Sequence, residues 1–431
     1  MKKSTALLLI TLLLMSACGT APETTVHEPT SVTLAVFGDG YYDIENAALN
    51  FNHSGKFPEY KVVVEDYCEG NNINYARTRL NTELGAGNGP DMIAFIGGNI
   101  QFESKIGITH MSYMARDFLV DMTEYIESDG QITRDDILFY DALNTYGGIY
   151  MIGDSFCIDS AKVLTETFGE RTGWTIQEYL DTEASLAPWQ SMCYYMNDHF
   201  FLENVAGRYS REAMDWENGT CDFNNQEFVS ILEAAYRVKD DNTEEFETRE
   251  SFTSAWQRIG AGQLMMSFSY IDEPTAMKRD EVYAGKPLTF IGWPTVDGNC
   301  GSDIEIHNAV GIVSNSRYKD ICWEFVKYML VNADTEPATA MNMPLYKPAL
   351  DRMVHKCRGV DDSQGIKLTS QNEVDEFYDF LDVPENIAVY DETVVDIIIE
   401  EAEEYFAGNR TAEDAAARVQ ERVSLYVAEQ S

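Results

Sequence analysis

Residues 81–98 read NTELGAGNGPDMIAFIGG and join the end of a helix to a short buried strand. Four apolar residues around this helix end fall on one helical face: Ile73, Ala76, Leu80 and Leu84. Gly85 can adopt the left-handed conformation that follows many helices, so we expect the helix to end there. Pro90 cannot continue a helix, and the apolar run 92–96 is typical of a strand buried on both faces. A helix that feeds such a strand predicts an α/β fold.

Asp91, directly after Pro90, has two interpretations. Its carboxylate could contact a ligand, because it lies beside the glycine turn. We favour the alternative, in which it accepts hydrogen bonds from local backbone N–H groups, as aspartate does in turns.

The first 31 residues predict export and attachment to a membrane. Two lysines precede the apolar run 6–15, which is too short to span a bilayer of about 30 Å and has the form of a signal peptide. Small residues before Cys18 look like a lipobox, in which the cysteine is acylated and becomes the first residue after cleavage. We expect a lipoprotein signal peptide over 1–17 and a lipid-anchored flexible tether over 18–31. The alternative is an ordinary signal peptide with a chance cysteine.

Length and charge restrict the class of protein. The chain has 431 residues, more than one hydrophobic core usually supports, so we expect two domains. The formal net charge is −41, which argues against nucleic acid and anionic lipid as partners because both would be repelled. Seven cysteines remain besides Cys18, with no CxxC motif, and their odd number leaves at least one unpaired. A chain of this size does not need a disulfide framework.

The start of the predicted domain indicates where a ligand would bind. Residues 31–37 and 60–66 have the β-branched, alternating pattern of strands, and Gly38 ends the first of them. Tyr41 and Tyr42 then lie at the carboxyl end of the first strand, where open α/β sheets bind ligands. The alternative is that these two rings pack at the rim of the sheet.

Several segments resemble, in the same order, the family 1 extracellular solute-binding proteins, the sugar-binding lipoproteins of bacterial ABC importers. The segments are the Gly-x-x-Pro-Asp turn at 87–91 and residues 118–126, 147–153, 256–270, 288–298, 321–330 and 343–347. The resemblance implies a two-lobe α/β fold of the periplasmic-binding-protein type II class. Each lobe would have a mixed sheet flanked by helices, with the ligand cleft between the lobes. Three crossovers would place lobe 1 at 32–147 and 292–343, and lobe 2 at 148–291 and 344–431.

The resemblance, together with the aromatic pattern, indicates the residues that would line this cleft. They are Asp39, Tyr41, Tyr42, Trp189, Tyr270 and Trp293. Asp39 belongs to the loop that contacts sugar in the family, and Tyr270 matches a position where the family places a stacking aromatic, usually tryptophan. Flat aromatic faces suit the apolar C–H faces of a pyranose. The alternative for each ring is packing in the core or at a strand end.

Motifs for catalysis are not found in the sequence. It has no GxSxG elbow, no HExxH, no phosphate-binding glycine loop followed by Lys-Ser/Thr, and no Cys/His cluster. A glycoside hydrolase with paired carboxylates is the alternative function, because 72 acidic residues make a close pair unavoidable. Residues 297–303 faintly resemble a calcium loop but lack the terminal glutamate. We therefore predict a protein that is not an enzyme and that needs no metal and no cofactor.

The predicted function is the substrate-binding subunit of an ABC importer. The protein would act as a monomer, capture a small carbohydrate by hinge closure, with an oligosaccharide favoured, and deliver it to the transmembrane permease subunits. The lipid at Cys18 would hold it on the outer face of the cytoplasmic membrane.

Overall fold

Two β-sheets organise the chain. A computed structural model describes residues 28–38, 42–70, 72–95, 109–144, 146–194, 196–238, 249–333, 342–362 and 364–430, with the backbone alone at 249–254 and 430. The strands are β1 (Thr30–Val36), β2 (Tyr60–Asp66), β3 (Met92–Phe95), β4 (Ser155–Leu164), β5 (Ser191–Cys193), β6 (Met214–Asp215), β7 (Thr220–Cys221), β8 (Leu264–Ile271), β9 (Leu288–Phe290), β10 (Asp303–His307), β11 (Ala309–Ile312), β12 (Met343–Pro344) and β13 (Asn386–Ile387).

Helices surround these strands. They are α1 (Tyr42–His53), α2 (Ile73–Gly85), α3 (Met111–Ala115), α4 (Thr123–Ser128), α5 (Tyr140–Leu143), α6 (Thr165–Phe168), α7 (Ile176–Ala184), α8 (Asp198–Ala213), α9 (Gln226–Arg237), α10 (Arg249–Gly260), α11 (Ala276–Ala284), α12 (Lys319–Asn332), α13 (Lys347–Gly359), α14 (Gln371–Leu381), α15 (Glu392–Phe406) and α16 (Ala412–Gln430), with a 3-10 turn at Arg134–Asp136. None of these helices is both long enough and apolar enough to cross a membrane.

The smaller sheet has the strand order β11-β3-β1-β2. β1 is parallel to β2 and β3, and β11 is antiparallel to β3. β3 is buried along its whole length, which confirms the doubly buried strand expected from its apolar run. Since α1 and α2 connect the three parallel strands, the chain opens with the α/β arrangement that the glycine turn predicted.

The turn between α2 and β3 differs in detail from the prediction. The helix ends at Gly85 as expected, but Gly85 is itself helical and Gly87 takes the left-handed conformation, with φ of 70°. The expectation that Asp91 bonds local backbone was wrong. Its carboxylate accepts hydrogen bonds from the Thr33 N–H at 2.8 Å and from the Ser316 hydroxyl at 2.7 Å. Asp91 therefore ties β1 and the segment after β11 to β3.

The larger sheet is mixed, with the strand order β13-β10-β4-β8-β5. The long strand β4 is antiparallel to β8 and β10 and also pairs with β9 and β12. Successive side chains of β4 point to opposite faces. Asp159 bonds Arg208 of α8 on one face, and Lys162 bonds Asp280 of α11 on the other. Helices therefore cover both faces of this sheet, as expected.

The chain passes between the two sheets three times. Ile152 still bridges Val310 of the smaller sheet, and β4 begins shortly after it. The second passage is at Asn308, between β10 and β11, and the third lies between α12 and β12. We expected the second passage near residue 292. The strand pairing moves it later, because residues 303–307 pair with β4 of the larger sheet.

The cysteines are consistent with a fold that needs no disulfide framework. No two of the seven cysteines that the structure describes are joined by a disulfide. Cys322 is fully buried in α12, among other buried residues of that helix. It therefore acts as a small apolar side chain.

Candidate functional site

The three passages between the sheets meet at Asp154. The Nδ2 of Asn308 donates hydrogen bonds to both carboxylate oxygens of Asp154 at 3.1 Å. The N–H of Leu345 donates to the Asp154 backbone carbonyl at 3.0 Å. Gly153 lies so close to the second passage that a Cβ would be 2.2 Å from the carbonyl oxygen of His307. We call this junction of Gly153, Asp154, Asn308 and Leu345 the pivot.

The Asp154 carboxyl is in an unusual environment. Burial raises its pKa to about 6, although hydrogen bonds from Ser155 and Asn308 oppose the change. The negative charge of Asp43 on α1 raises it further. The pivot therefore contains a carboxyl that changes charge near pH 6.

A cavity of about 240 Å³ lies beside the pivot, between elements attached to both sheets. We call it the pivot cavity. One face of α1 contributes Asp43, Asn46 and Asn50, at helical spacing, and the pivot contributes Asp154 and Asn308. The rest of the lining is Ala47, Ser155, Tyr328, Met329, Asn332, Ala333, Asn342 and Pro344. Carboxylates accept hydrogen bonds and amides both donate and accept them, so this lining suits a ligand rich in hydroxyl groups.

The residues predicted to bind ligand fall into different environments. Asp39, Tyr41 and the lipidation residue Cys18 lie outside the described residues. Tyr42 is the first residue of α1, next to Asp43 in the pivot cavity, and is 68% exposed. Trp189 is 63% exposed in the turn before β5 and does not line the pivot cavity.

Trp293 is fully buried in this structure. Its ring centroid lies 5.8 Å from that of Phe200, and the Arg208 guanidinium lies 5.5 Å from the ring on the α8 side. Its Nε1 donates to Asp159 at 3.5 Å. A ligand could stack on this ring only after α8 and the sheet had separated.

Tyr270 is half-buried on a face of the larger sheet that carries several polar side chains. Asp159 is directly opposite Tyr270 on β8 and opposite Asp303 on β10, and Cys157 is opposite Glu305. Burial raises the pKa of Tyr270, and the negative charges of Asp159 and Glu305 raise it further. The phenol therefore stays protonated at neutral pH and can donate a hydrogen bond.

Four of the side chains on or against this polar face form a charged cluster, defined as Asp159, Asp303, Arg208 and Arg211. Arg208 lies 2.6 Å from Asp159 and 3.0 Å from Asp303, and Arg211 lies 2.8 Å from Asp303. The hydroxyl of Tyr390 also donates to Asp303. Burial opposes ionisation of Asp303, but Arg211 and Arg208 outweigh it and lower its pKa. Since each charge is paired, the cluster holds α8 against the sheet through ion pairs between the arginines of α8 and the aspartates of the strands.

A second cavity, of about 200 Å³, lies between α5 and β13. His110 lines it, and its Nδ1 has no hydrogen-bond partner among the described residues. Burial lowers the pKa of His110 to about 4, so the ring is neutral at physiological pH. The remaining lining residues are Ala142, Leu143, Tyr146, Met151, Arg211, Glu212, Asn386, Ile387 and Val389.

The pivot and the polar face of α1 were not predicted from the sequence. The i, i+3 and i+7 spacing of Asp43, Asn46 and Asn50 was a readable signal, because these positions share one side of a helix. The pairing of Asp154 with Asn308 had no sequence signal, since 154 residues separate them.

No protein-family model matches the sequence, and no curated protein matches it. Solved structures do match. The sugar-binding protein MalE from Xanthomonas citri has a TM-score of 0.57 at 14% identity, covering 93% of this chain and 98% of that one. Two others have TM-scores of 0.53 at 15% identity and cover 93% of this chain and 99% of theirs. They are a family 1 extracellular solute-binding protein from Alicyclobacillus acidocaldarius and an ABC substrate-binding protein from Listeria monocytogenes in complex with cycloalternan.

At this level of identity the likeness concerns the fold. The shared architecture covers 93% of the chain, and these structures are of binding proteins. The chain therefore has the two-lobe α/β fold of the family 1 extracellular solute-binding proteins, as the sequence resemblance predicted.

Proposed function

We propose that this protein is the ligand-capturing subunit of an ABC importer and that it binds a neutral carbohydrate without turning it over. The two lobes would be the smaller and the larger sheet with their helices, dividing at residues 152–155, at Asn308 and before β12. Closure of the lobes around the pivot would trap the ligand, and the closed form would be recognised by the permease.

The observation that carries this proposal is the position of the pivot cavity. It lies where the three passages of the chain meet, and it is lined by α1 on one side and by the start of β4 on the other. A ligand that hydrogen-bonds to both sides would stabilise one relative position of the sheets over others.

The chemistry of the lining favours a carbohydrate. Asp43, Asn46, Asn50 and Asn308 offer acceptors and amide donors, and Tyr328 adds an aromatic ring. Among the solved structures with this fold, MalE from Xanthomonas citri is a sugar-binding protein and the Listeria protein holds cycloalternan. The net charge of −41 disfavours an anionic ligand.

A thermal-shift screen of the full-length chain against neutral mono- and oligosaccharides tests the proposal, because a ligand that binds only the folded state raises Tm. We expect one sugar class to raise Tm, and Asn46→Ala to weaken its binding about tenfold by removing one ligand hydrogen bond. Glu45→Ala is the matched control, since Glu45 is exposed on the same helix outside the cavity lining. If the sugar binds equally well to both variants, the pivot cavity is not its site.

Substitutions of Tyr270 and Trp293 distinguish two roles for these rings: contact with the ligand and packing in the core. Tyr270 does not line the pivot cavity. Tyr270→Ala should therefore reduce sugar affinity, by about 1–2 kcal/mol, only if the bound sugar extends from that cavity to the polar face. Trp293→Ala should cost about 3–5 kcal/mol of unfolding free energy instead, because the ring is fully buried. Titration calorimetry and urea unfolding of both variants measure the two quantities. If Trp293→Ala leaves the unfolding free energy unchanged but loses sugar affinity, Trp293 contacts the ligand in the cleft.

We also propose that Cys18 is acylated and anchors the protein to the outer face of the cytoplasmic membrane. The support is the spacing of the apolar run and the small residues before Cys18. Cys18→Ala should move the expressed protein from the detergent phase to the aqueous phase in Triton X-114 partitioning. Detergent partitioning equal to that of the wild type would refute the anchor.

A further inference from the structure

Three side chains with different metal-binding atoms meet on the polar face of the larger sheet. Cys157 on β4 is opposite Glu305 on β10, and His307 is two residues further along β10 on the same face. The Sγ of Cys157 is 3.4 Å from Glu305 Oε2 and 3.4 Å from His307 Nε2. The sulfur, oxygen and nitrogen atoms all lie within 4.8 Å of one another. We call these residues the Cys157 trio.

One carboxylate oxygen of the trio has no hydrogen-bond partner among the described residues. Glu305 is only 4% exposed, and its Oε1 has no hydrogen-bond partner among the described residues. A buried oxygen without a partner is costly and needs an explanation, such as a bound ion. His307 is half-buried, so the trio can be reached from solvent on that side.

We propose that Cys157, Glu305 and His307 bind one divalent transition metal ion, with Zn²⁺ the best match. Thiolate, imidazole and carboxylate are the protein ligands that zinc accepts, whereas Mg²⁺ and Ca²⁺ prefer oxygen alone. The thiol proton and the proton carried by the buried Glu305 carboxyl are released to solvent on binding, since the metal is bound by thiolate and carboxylate. Three protein ligands leave a fourth position for a water molecule.

The two separations from the Cys157 sulfur fit this geometry. Zinc bonds of about 2.3 Å to sulfur and about 2.0–2.1 Å to nitrogen or oxygen, at a tetrahedral angle, put the sulfur about 3.5–3.6 Å from each of the other two ligand atoms. They put the nitrogen about 3.3–3.4 Å from the oxygen. Both separations from the Cys157 sulfur are 3.4 Å. The Glu305 oxygen and the His307 nitrogen lie within 4.8 Å of each other, and these two side chains would adjust to about 3.3–3.4 Å to accept the ion.

The trio is also next to the pivot. His307 immediately precedes Asn308, and it lies opposite Ser155, which lines the pivot cavity. The metal inference does not rest on carbohydrate binding, because it is tested with the metal alone. Either proposal can fail without the other.

Titration of the full-length chain with Co²⁺ tests the site directly, because a thiolate ligand gives a charge-transfer band and a tetrahedral site gives intense visible bands. We expect one equivalent of Co²⁺ to produce both and Zn²⁺ to displace it. Cys157→Ser should remove the charge-transfer band, and His307→Gln should weaken binding more than about 100-fold, beyond the loss typical of a residue that only supports a ligand. Cys322→Ser, at a buried thiol elsewhere, is the control and should bind as the wild type does.

A second measurement on the wild type does not depend on how the variants fold. One equivalent of Zn²⁺ should protect Cys157 from slow alkylation, with the modified residue identified by mass spectrometry, while the modification of Cys221 and Cys300 stays unchanged. The proposal is overturned if the wild type gives no thiolate band, if the band survives in Cys157→Ser, or if zinc leaves Cys157 alkylation unaltered.

Discussion

The central strands of the smaller sheet are packed by apolar side chains, whereas one face of the larger sheet buries four charges. Val32, Leu34 and Ile93 are fully buried in the smaller sheet. In the larger sheet, the charged cluster is buried between the strands and α8, where apolar side chains would otherwise pack. Apolar burial is non-directional, but buried ions must be paired with specific partners. The two sheets are therefore buried through different interactions, and these interactions respond differently to substitution.

The largest expected effect is on the charged cluster. Arg208→Met keeps most of the side-chain volume but leaves Asp159 buried without its 2.6 Å partner. We expect a loss of about 3–5 kcal/mol in unfolding free energy, because an uncompensated buried charge is left behind. Urea unfolding at neutral pH measures the difference.

The matched control is an exposed ion pair. Arg134 and Asp141 have side chains that are 58% and 83% exposed, so Arg134→Met should cost less than about 1 kcal/mol. If Arg208→Met and Arg134→Met lose the same unfolding free energy, the buried charges of the larger sheet contribute no more to stability than an exposed ion pair does.

The next effect concerns the pivot, which joins the two sheets. Burial raises the pKa of Asp154 to about 6, above the value of about 4 expected in the unfolded chain. The folded state therefore binds more protons between about pH 4 and pH 6, and this group's contribution to stability is lost as the pH rises through that window. Asp154→Asn removes the titration, so its stability relative to the wild type should rise by on the order of 2–3 kcal/mol from pH 4 to pH 7.

Unfolding of both proteins at the two pH values provides the measurement, and the other titrating groups cancel in the difference. An amide at this position can still accept from the Nδ2 of Asn308 through its oxygen. If the difference between the two proteins is the same at pH 4 and pH 7, the carboxyl is not held in its neutral form by burial.

The smallest expected effect lies in the glycine turn of the smaller sheet. Gly85 is helical, and a Cβ there would meet no atom within 4 Å, whereas Gly87 has φ of 70°. Gly85→Ala should therefore stabilise the protein by about 0.5–1 kcal/mol through helix propensity. Gly87→Ala should destabilise it by about 1 kcal/mol, because alanine avoids this conformation. Thermal or urea unfolding measures the sign of the stability change in each variant. Destabilisation by Gly85→Ala together with stabilisation by Gly87→Ala would show that Gly85, and not Gly87, takes the left-handed conformation.

The smaller sheet could be predicted well from local patterns. The apolar run at 92–96 and the helical face before it identified β3 and α2, because burial on one or both faces leaves a periodic trace in the sequence. The larger sheet was harder to predict. We expected the chain to return to the smaller sheet near residue 292, but β10 pairs with β4 first. Strand pairing between residues about 150 positions apart leaves no periodic trace.

The predicted site residues show the same limit. Aromatic residues at strand ends were reasonable candidates, yet Trp293 is enclosed by Phe200 and Arg208. An aromatic ring suits a core and a sugar cleft equally well, so its residue type cannot choose between them. Asp154 and Asn308, which form part of the pivot, were not selected because each is an ordinary turn residue type in isolation.

The sequence by itself determined the α/β class and the local elements, because helix and strand periodicity and turn chemistry act over neighbouring residues. The two-lobe plan followed from the resemblance of its ordered segments to a known family. Only the tertiary structure decided which distant polar groups meet: Arg208 with Asp159, Asn308 with Asp154, and Cys157 with Glu305 and His307. The physical reason is that a buried polar group is stable only beside a matching partner, and the register of non-adjacent strands selects that partner.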